Sequence, residues 1–288
     1  YPLLINIFMS LGFSPLWAGL IISNICAVIA LFFLFKLASI DFEEDVAKKS
    51  IFALLIFPTS FYLGAVYSES LFLASSLAAF YFARKKRWFL ASILTAISVA
   101  TRLIGIAVIL GILIEFFLTK KSKLFSKEFF FSVLSLIPLP LYMYYQQVKF
   151  GNSLSFLTNE SLWDRQASFP WQAIQSSLEY LSAGNFLQFG NGARVLTDLL
   201  FFMILAGVFV LFFKKMRKSY RVFYFLSLII PLYSGTLTSF PRYALVIFPF
   251  YFIVASLKNE LVQKIGIILS LLLLSAYSIL FINGSWVT

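Results

Sequence analysis

The chain has 288 residues, of which 61% are hydrophobic and 12% charged, and its formal net charge is +11 at pH 7. Soluble domains carry about 25% charged residues. A soluble fold of this size could not bury so much apolar surface, whereas a lipid bilayer could accommodate it. The sequence has no histidine and one cysteine, Cys26, which excludes histidine general bases, histidine-ligated metals and intrachain disulfides.

Apolar runs of about 15 to 20 residues, the length at which a helix crosses a hydrocarbon core, recur along the chain. In chain order they cover 16–38, 50–66, 70–83, 88–101, 103–118, 129–148, 195–213, 222–238, 243–257 and 265–282. The pattern predicts an all-α, polytopic transmembrane protein with about nine or ten membrane segments. These segments form a single transmembrane domain over residues 1–288.

The basic residues test this map, because alternate connections between the runs lie on alternate sides of the membrane. Most of the 23 lysines and arginines fall in connections on one side, which we assign to the cytoplasm. The outer side holds only Arg102, Lys149, Arg165, Arg194 and Arg242. The basic residues form short clusters between apolar runs and no continuous basic face, which argues against a nucleic-acid partner.

A long connection, residues 149–193, lies on the outer side of this map and is rich in aromatic residues. Tryptophan and tyrosine favour the headgroup region, so we expect part of this loop to lie along the membrane surface. Within it, 168–171 followed by 172–181 predicts a short amphipathic helix that starts near Pro170. The chain opens at Tyr1 without an initiator methionine, and we interpret it as N-terminally truncated.

A few charged residues interrupt the apolar runs at their outer ends. Glu69 follows Tyr67 in an outer turn, while Arg102 and Arg242, the latter beside Tyr243, each break an apolar stretch. Helices that stop short leave a wet cavity for ionisable groups, and a guanidinium donates paired hydrogen bonds to phosphate. We therefore expect these groups to share an outer pocket. Alternatively, the arginines could snorkel or only pair with Glu69, and Glu69 could cap the helix that starts beside it.

Other charged residues can be explained without a functional role. Asp164 and Arg165, beside Trp163 in the outer loop, are either a solvated pair or part of the outer site. Four acidic residues on the cytoplasmic side are expected to be solvated charges: Asp41, Glu43, Glu44 and Asp45. The sequence has no obvious metal-ligand cluster, which predicts that no metal is needed.

Several motifs, in their order and spacing, resemble the glycosylphosphatidylinositol mannosyltransferase 2 family and its prokaryotic relatives. The similarity extends over most of the chain and is carried by 57–62 with 65–72, 100–102 with Gly105, 163–165 with 170–171, and 239–243 with 248–249. The resemblance implies a membrane glycosyltransferase of GT-C type. Such enzymes transfer a sugar, usually mannose, from a polyprenyl or dolichyl phosphate carrier to a lipid or glycan acceptor on the outer or lumenal side.

The resemblance also implies where the catalytic aspartate lies. In the family it precedes an aromatic-Pro-Leu-Tyr-Pro-Leu segment, of which Tyr1-Pro2-Leu3-Leu4 looks like the end. The general base is therefore expected upstream of Tyr1. In this hypothesis the transfer is inverting. Arg102, Arg242 and Tyr243 would contact the donor phosphate or line the cavity.

The remaining candidates complete the expected site. Tyr67 and Glu69 would orient groups at the pocket mouth, and Trp163, Asp164 and Arg165 would contact donor or acceptor from the outer loop. We expect no cofactor other than the lipid-linked sugar donor.

Two further classes of function remain open. A transporter or lipid flippase also has isolated intramembrane charges, although the sequence shows no matched inverted halves. A noncatalytic membrane scaffold would leave Arg102 and Arg242 without a purpose. In each case we expect a multi-pass protein in contact with membrane lipids, in the plasma membrane of a prokaryote or the endoplasmic reticulum of a eukaryote.

Overall fold

The computed structural model describes residues 1–119, 126–158, 165–184, 191–285 and 287. Within these residues the secondary structure is helical and contains no β-strand, so the all-helical prediction is confirmed. Four stretches are long and apolar enough to cross a membrane, by length and composition: Pro15–Asp41, Lys127–Phe150, Asn191–Lys215 and Glu260–Ile282.

The helices follow one another with short connections. The first six are α1 (Pro2–Ser10), α2 (Pro15–Asp41), α3 (Glu44–Leu55), α4 (Glu69–Arg84), α5 (Trp88–Thr101) and α6 (Gly105–Thr119). The next nine are α7 (Lys127–Leu134), α8 (Pro138–Phe150), α9 (Ser155–Thr158), α10 (Pro170–Ser182), α11 (Asn191–Phe212), α12 (Lys218–Ile229), α13 (Phe240–Ala244), α14 (Phe248–Ala255) and α15 (Glu260–Ile282). Short 3₁₀ helices cover Ser60–Leu63, Phe213–Lys215 and Ile230–Ser234.

Prolines account for the main differences from the predicted runs. The run 129–148 is divided at Pro138, where α8 begins, because proline is favoured in the first turn of a helix and disfavoured in its interior. The run 50–66 ends as a helix at Leu55, shortly before Pro58, and continues as a turn and a 3₁₀ helix. The predicted amphipathic helix is present as α10, with Pro170 as its first residue.

The core of the bundle is built around α4, which packs against α2, α5 and α6. Phe72, Leu77 and Phe80 of α4 are fully buried, and so is Leu34 of α2. Gly111 of α6 allows close approach to α4, because a Cβ atom there would lie 2.5 Å from Cζ of Phe80. This packing fixes the position of both ends of α4.

The two ends of α4 carry charged residues, Glu69 at its first position and Arg84 at its last. An α-helix rises 1.5 Å per residue, so these two positions are about 22 Å apart along the axis. Each belongs to a separate group of buried or half-buried charged side chains. The bundle therefore holds two distinct charged groups at opposite ends of one central helix.

Candidate functional site

The first group, which we call the Glu69 cluster, comprises Glu69, Arg102 and Arg242 with Tyr62, Tyr67, Tyr243 and Arg165. The Glu69 side chain is fully buried, and Nη1 of Arg102 lies 2.7 Å from its Oε1 atom. Nε of Arg242 donates a hydrogen bond to the same Oε1 atom. Oε2 of Glu69 has no hydrogen-bond partner among the described residues. One carboxylate oxygen therefore contacts two guanidinium groups, whereas the other has no hydrogen bond.

Arg102 is placed by a sharp turn between α5 and α6. It follows the last residue of α5 in an extended conformation, and its backbone N–H donates to the carbonyl of Ser98. Gly105, which starts α6, is required by the turn, because a Cβ atom there would lie 2.5 Å from Cα of Val99. The Ser98 and Ser75 hydroxyls lie 2.8 Å apart and link α5 to α4. The guanidinium of Arg102 is thus held beside the start of α4.

Arg242 is placed by the short helix α13. Ser239, the residue before this helix, has a left-handed backbone conformation with φ of 69°, which turns the chain sharply. The buried Thr59 hydroxyl donates a 3.0 Å hydrogen bond to the carbonyl of Pro241. This bond ties α13 to the turn that comes after α3, and it brings Arg242 to Glu69, although the two residues are 173 positions apart.

The guanidinium groups of Arg102 and Arg242 lie over the faces of tyrosine rings. Cζ of Arg242 lies 4.4 Å from the ring centroid of Tyr67 and 5.2 Å from that of Tyr62. Cζ of Arg102 lies 5.3 Å from the ring centroid of Tyr243. Such cation–π contacts favour a guanidinium over a ring face and leave donors at its edge available for hydrogen bonds.

Arg165 joins the cluster from the segment that precedes α10. Its Nη1 atom donates to the hydroxyl of Tyr243 at 3.2 Å, and its Nη2 atom donates to the carbonyl of Thr238 at 3.3 Å. Both of these acceptors are neutral. The other two loop candidates, Trp163 and Asp164, lie outside the described residues.

The structure therefore brings together Tyr67, Glu69, Arg102, Arg165, Arg242 and Tyr243 of the predicted site residues. The expected ion pairing between the arginines and Glu69 is present, and no side-chain capping hydrogen bond is found at the start of α4. Ion pairing and a binding role do not exclude each other here. The Glu69 cluster contains three guanidinium groups, two of them paired with Glu69, and one carboxylate, so it carries an excess of positive charge and suits an anion.

Asp198 is a neighbouring carboxylate that the sequence analysis did not single out. It is buried in α11, and it interacts with the charge of Arg194, with the backbone N–H groups of Phe240 and Ser239, and less strongly with the charge of Arg165. Its position supports the turn that precedes Arg242. The sequence does indicate that Asp198 is important, because it lies inside the apolar run 195–213 and ionisable residues in such runs have partners or functions.

The second group, which we call the Asp41 cluster, comprises Asp41, Arg84, Glu115, Arg217, Ser219 and Tyr220. The Arg84 guanidinium pairs with both oxygens of Asp41, with Nη2 2.7 Å from Oδ1. The Tyr220 hydroxyl donates to Oδ2 at 3.0 Å. Asp41 is exposed as a residue, but its side chain is 24% exposed and ion-paired, so it is not the free solvated charge that the sequence predicts. Glu44 and Asp45 are exposed, as expected.

Glu115 is the centre of the Asp41 cluster and was not recognised in the sequence, although it too interrupts an apolar run. Arg217 donates from Nε to one Glu115 oxygen at 2.7 Å and from Nη2 to the other at 2.6 Å. The Ser219 hydroxyl donates a third bond at 2.7 Å. Hydrogen bonding to Glu115 raises the pKa of Arg217 above its ordinary value, so Arg217 stays positively charged throughout the physiological range.

The described residues contain no group of three or more histidine, cysteine, aspartate or glutamate side chains that could hold a metal ion. Comparison of the chain with family models, with curated proteins and with solved structures found no match.

Proposed function

We propose that the chain is a multi-pass membrane glycosyltransferase of GT-C type. It transfers a mannosyl or related unit from a polyprenyl or dolichyl phosphate carrier to a lipid or glycan acceptor on the outer or lumenal face. The observation that carries the proposal is the Glu69 cluster, in which Arg102 and Arg242 share a single oxygen of one buried carboxylate. Four stretches that are long and apolar enough to cross a membrane support the membrane assignment.

The proposed reaction is an inverting displacement. The acceptor hydroxyl oxygen attacks the anomeric carbon, the bond from that carbon to the phosphate oxygen breaks, and the hydroxyl proton passes to a carboxylate base. Negative charge grows on the departing lipid phosphate. Guanidinium groups that are already in place stabilise this charge, and their effect is larger where water is excluded.

Arg102 and Arg242 are assigned to the phosphate in this proposal. Glu69 uses one acceptor oxygen for both side chains, and each guanidinium has five N–H donors, so donors remain for phosphate oxygens. Arg165 adds a third guanidinium, whose direct hydrogen-bond partners among the described residues are neutral. The tyrosine rings of Tyr67 and Tyr243 restrict the orientation of the arginines, which lowers the cost of ordering them when the ligand binds.

Glu69 is assigned a positioning role. A general base must accept a proton near neutral pH, whereas two adjacent guanidinium groups stabilise the ionised form of Glu69 and make it a poor proton acceptor. Its position at the start of α4 holds Arg102 and Arg242 together. We therefore assign the general base to a carboxylate other than Glu69.

The test is transfer of labelled mannose from polyprenyl-phosphate mannose by the full-length protein in membranes. We expect Arg242→Ala to lower transfer about 100-fold, as loss of one charge-stabilising donor does in other enzymes. Arg242→Lys keeps the charge but loses the planar fork, so it should recover only part of the activity. Arg87→Ala, at an exposed residue of the turn between α4 and α5, is the matched control and should leave transfer unchanged.

Arg165→Ala separates phosphate binding from folding. Because Arg165 has no direct ion-pair partner among the described residues and is only one of the charges that act on Asp198, its loss should lower transfer strongly and the thermal unfolding midpoint only slightly. Full transfer by both Arg165→Ala and Arg242→Ala would contradict the proposal. Movement of intact polyprenyl-phosphate mannose across the membrane without sugar transfer would instead support a lipid flippase.

A further inference from the structure

A cavity of about 510 Å³ lies beside the Asp41 cluster, at the end of α4 away from Glu69. It is formed where four segments meet: the end of α2, the turn after α11, the start of α12, and α14. Its polar lining is Asp41, Lys215, Arg217, Tyr220 and Ser256. Nothing in the proposed transfer reaction uses this cavity.

The cavity is positively charged despite the carboxylate in its wall. Asp41 is neutralised by the Arg84 guanidinium and by the Tyr220 hydroxyl. Arg217 uses Nε and Nη2 for Glu115, and its side chain remains 33% exposed. Lys215 is exposed and has no ion-pair partner among the described residues; its Nζ atom lies 5.2 Å from the ring centroid of Phe212. The unbalanced charge in the wall therefore belongs to Lys215.

The rest of the wall is apolar, with Phe42, Phe212, Met216, Pro249, Phe252 and Ile253. A small soluble anion would gain nothing from these side chains. An amphiphile would use both kinds of surface, because its charged headgroup can approach the cations while its glycerol and acyl carbons cover the aromatic rings. The neighbouring Lys214, Lys218 and Arg221 add to the positive potential at this end of the bundle.

We propose that this cavity binds the headgroup of an anionic phospholipid from the cytoplasmic leaflet. Basic pockets between membrane helices on that side are suited to acidic headgroups, which are concentrated in that leaflet. The headgroup phosphate lies between Lys215 and Arg217, and the first acyl carbons lie against Phe212 and Phe252. The site does not depend on the glycosyltransferase proposal, since it requires only that this end of the bundle faces the cytoplasmic leaflet.

The test measures lipid retained by the full-length protein in nanodiscs that contain phosphatidylglycerol and phosphatidylcholine in equal amounts. Native mass spectrometry of the released protein counts each lipid. We expect preferential retention of phosphatidylglycerol, and a loss of about 10-fold in Lys215→Glu, because reversal of the charge replaces attraction by repulsion. Lys214→Glu makes the same charge change one residue outside the cavity lining, so it should lower retention less than Lys215→Glu does.

A second variant and a soluble competitor complete the test. Ser256→Leu fills the cavity without changing its charge, and it should also lower phosphatidylglycerol retention. Glycerol 3-phosphate carries the headgroup chemistry without acyl chains and should not displace the lipid. Equal retention in Lys214→Glu and Lys215→Glu, equal retention of the two lipids, or displacement by glycerol 3-phosphate would overturn the proposal.

Discussion

The two charged clusters at the ends of α4 use similar side chains in different ways. In the Asp41 cluster both oxygens of Asp41 and both oxygens of Glu115 accept hydrogen bonds from arginine, tyrosine or serine. In the Glu69 cluster two arginines converge on one oxygen, and the other oxygen is buried without a partner. The first arrangement is complete without a ligand, whereas the second is not.

This difference distinguishes a structural network from a candidate binding site. A fully satisfied buried network stabilises one arrangement of the helices, and any change to it leaves a charge or donor without a partner. In the Glu69 cluster one carboxylate oxygen is buried without a hydrogen bond, and the guanidinium groups outnumber the carboxylate. Both features cost free energy, and an anionic ligand that also carries a hydroxyl group can reduce both costs. We therefore expect stability to depend on the Asp41 cluster and activity on the Glu69 cluster.

The largest expected effect on stability is that of Glu115→Gln. Both Glu115 oxygens accept hydrogen bonds from positively charged or hydroxyl donors, so the amide NH₂ group of glutamine would face a donor in either orientation. Breaking such a buried pair costs about 3–5 kcal/mol. Thermal unfolding of the purified protein in detergent measures the change.

Glu69→Gln is the matched variant at the other end of α4. Glutamine can keep its carbonyl oxygen toward Arg102 and Arg242 and place its NH₂ group at the unpartnered Oε2 position. Its unfolding midpoint should therefore fall less than that of Glu115→Gln, while sugar transfer falls more. An equal or larger loss of stability in Glu69→Gln would remove the distinction between the clusters.

A smaller loss of stability is expected for Gly105→Ala. The new Cβ atom would meet the backbone of Val99 at 2.5 Å, and overpacking of this kind costs about 1–3 kcal/mol. Because the strained turn carries Arg102, sugar transfer should fall as well. Gly207→Ala is the control, since a Cβ atom at that position in α11 has no neighbour within 4 Å. If both variants behave like the unaltered protein, the tight turn does not position Arg102.

The smallest effect is expected for Lys48→Ala, on the exposed surface of α3. Lys48 pairs with Glu44 at 2.8 Å, and both side chains are more than half exposed. Exposed pairs of this type contribute little, because water screens them and two long side chains must be ordered. The unfolding midpoint and sugar transfer should both be unchanged. A measurable loss of stability or of transfer would show that exposed charges on α3, outside the Asp41 cluster, also contribute.

Local sequence pattern accounts for much of the fold. The run 88–101 coincides with α5, since a basic turn precedes it and Arg102 ends it. Proline marks the start of α10 as the sequence predicts. The division of 129–148 at Pro138 was missed because hydropathy averages over a window and does not register a single backbone break.

The candidate site was less predictable than the helices. Interruption of apolar runs identified Arg102 and Arg242, and the same signal at Glu115 and Asp198 was not used. Asp41 looked like one of four exposed acidic residues, and only its contacts with Arg84 and Tyr220 separate it from the others. Exposure and pairing depend on neighbours from other helices, which a local pattern does not contain.

The helical class, the approximate positions of the apolar helices and the residues that interrupt them can be read from the amino-acid sequence. These properties depend on hydrophobicity and backbone preferences within a few turns of chain. The packing of the helices brings two arginines to one oxygen of Glu69 and gives both oxygens of Glu115 hydrogen-bond donors, which the sequence does not predict. Arg242 and Glu69 are 173 residues apart, and contacts over such separations arise from the packing of whole helices around α4.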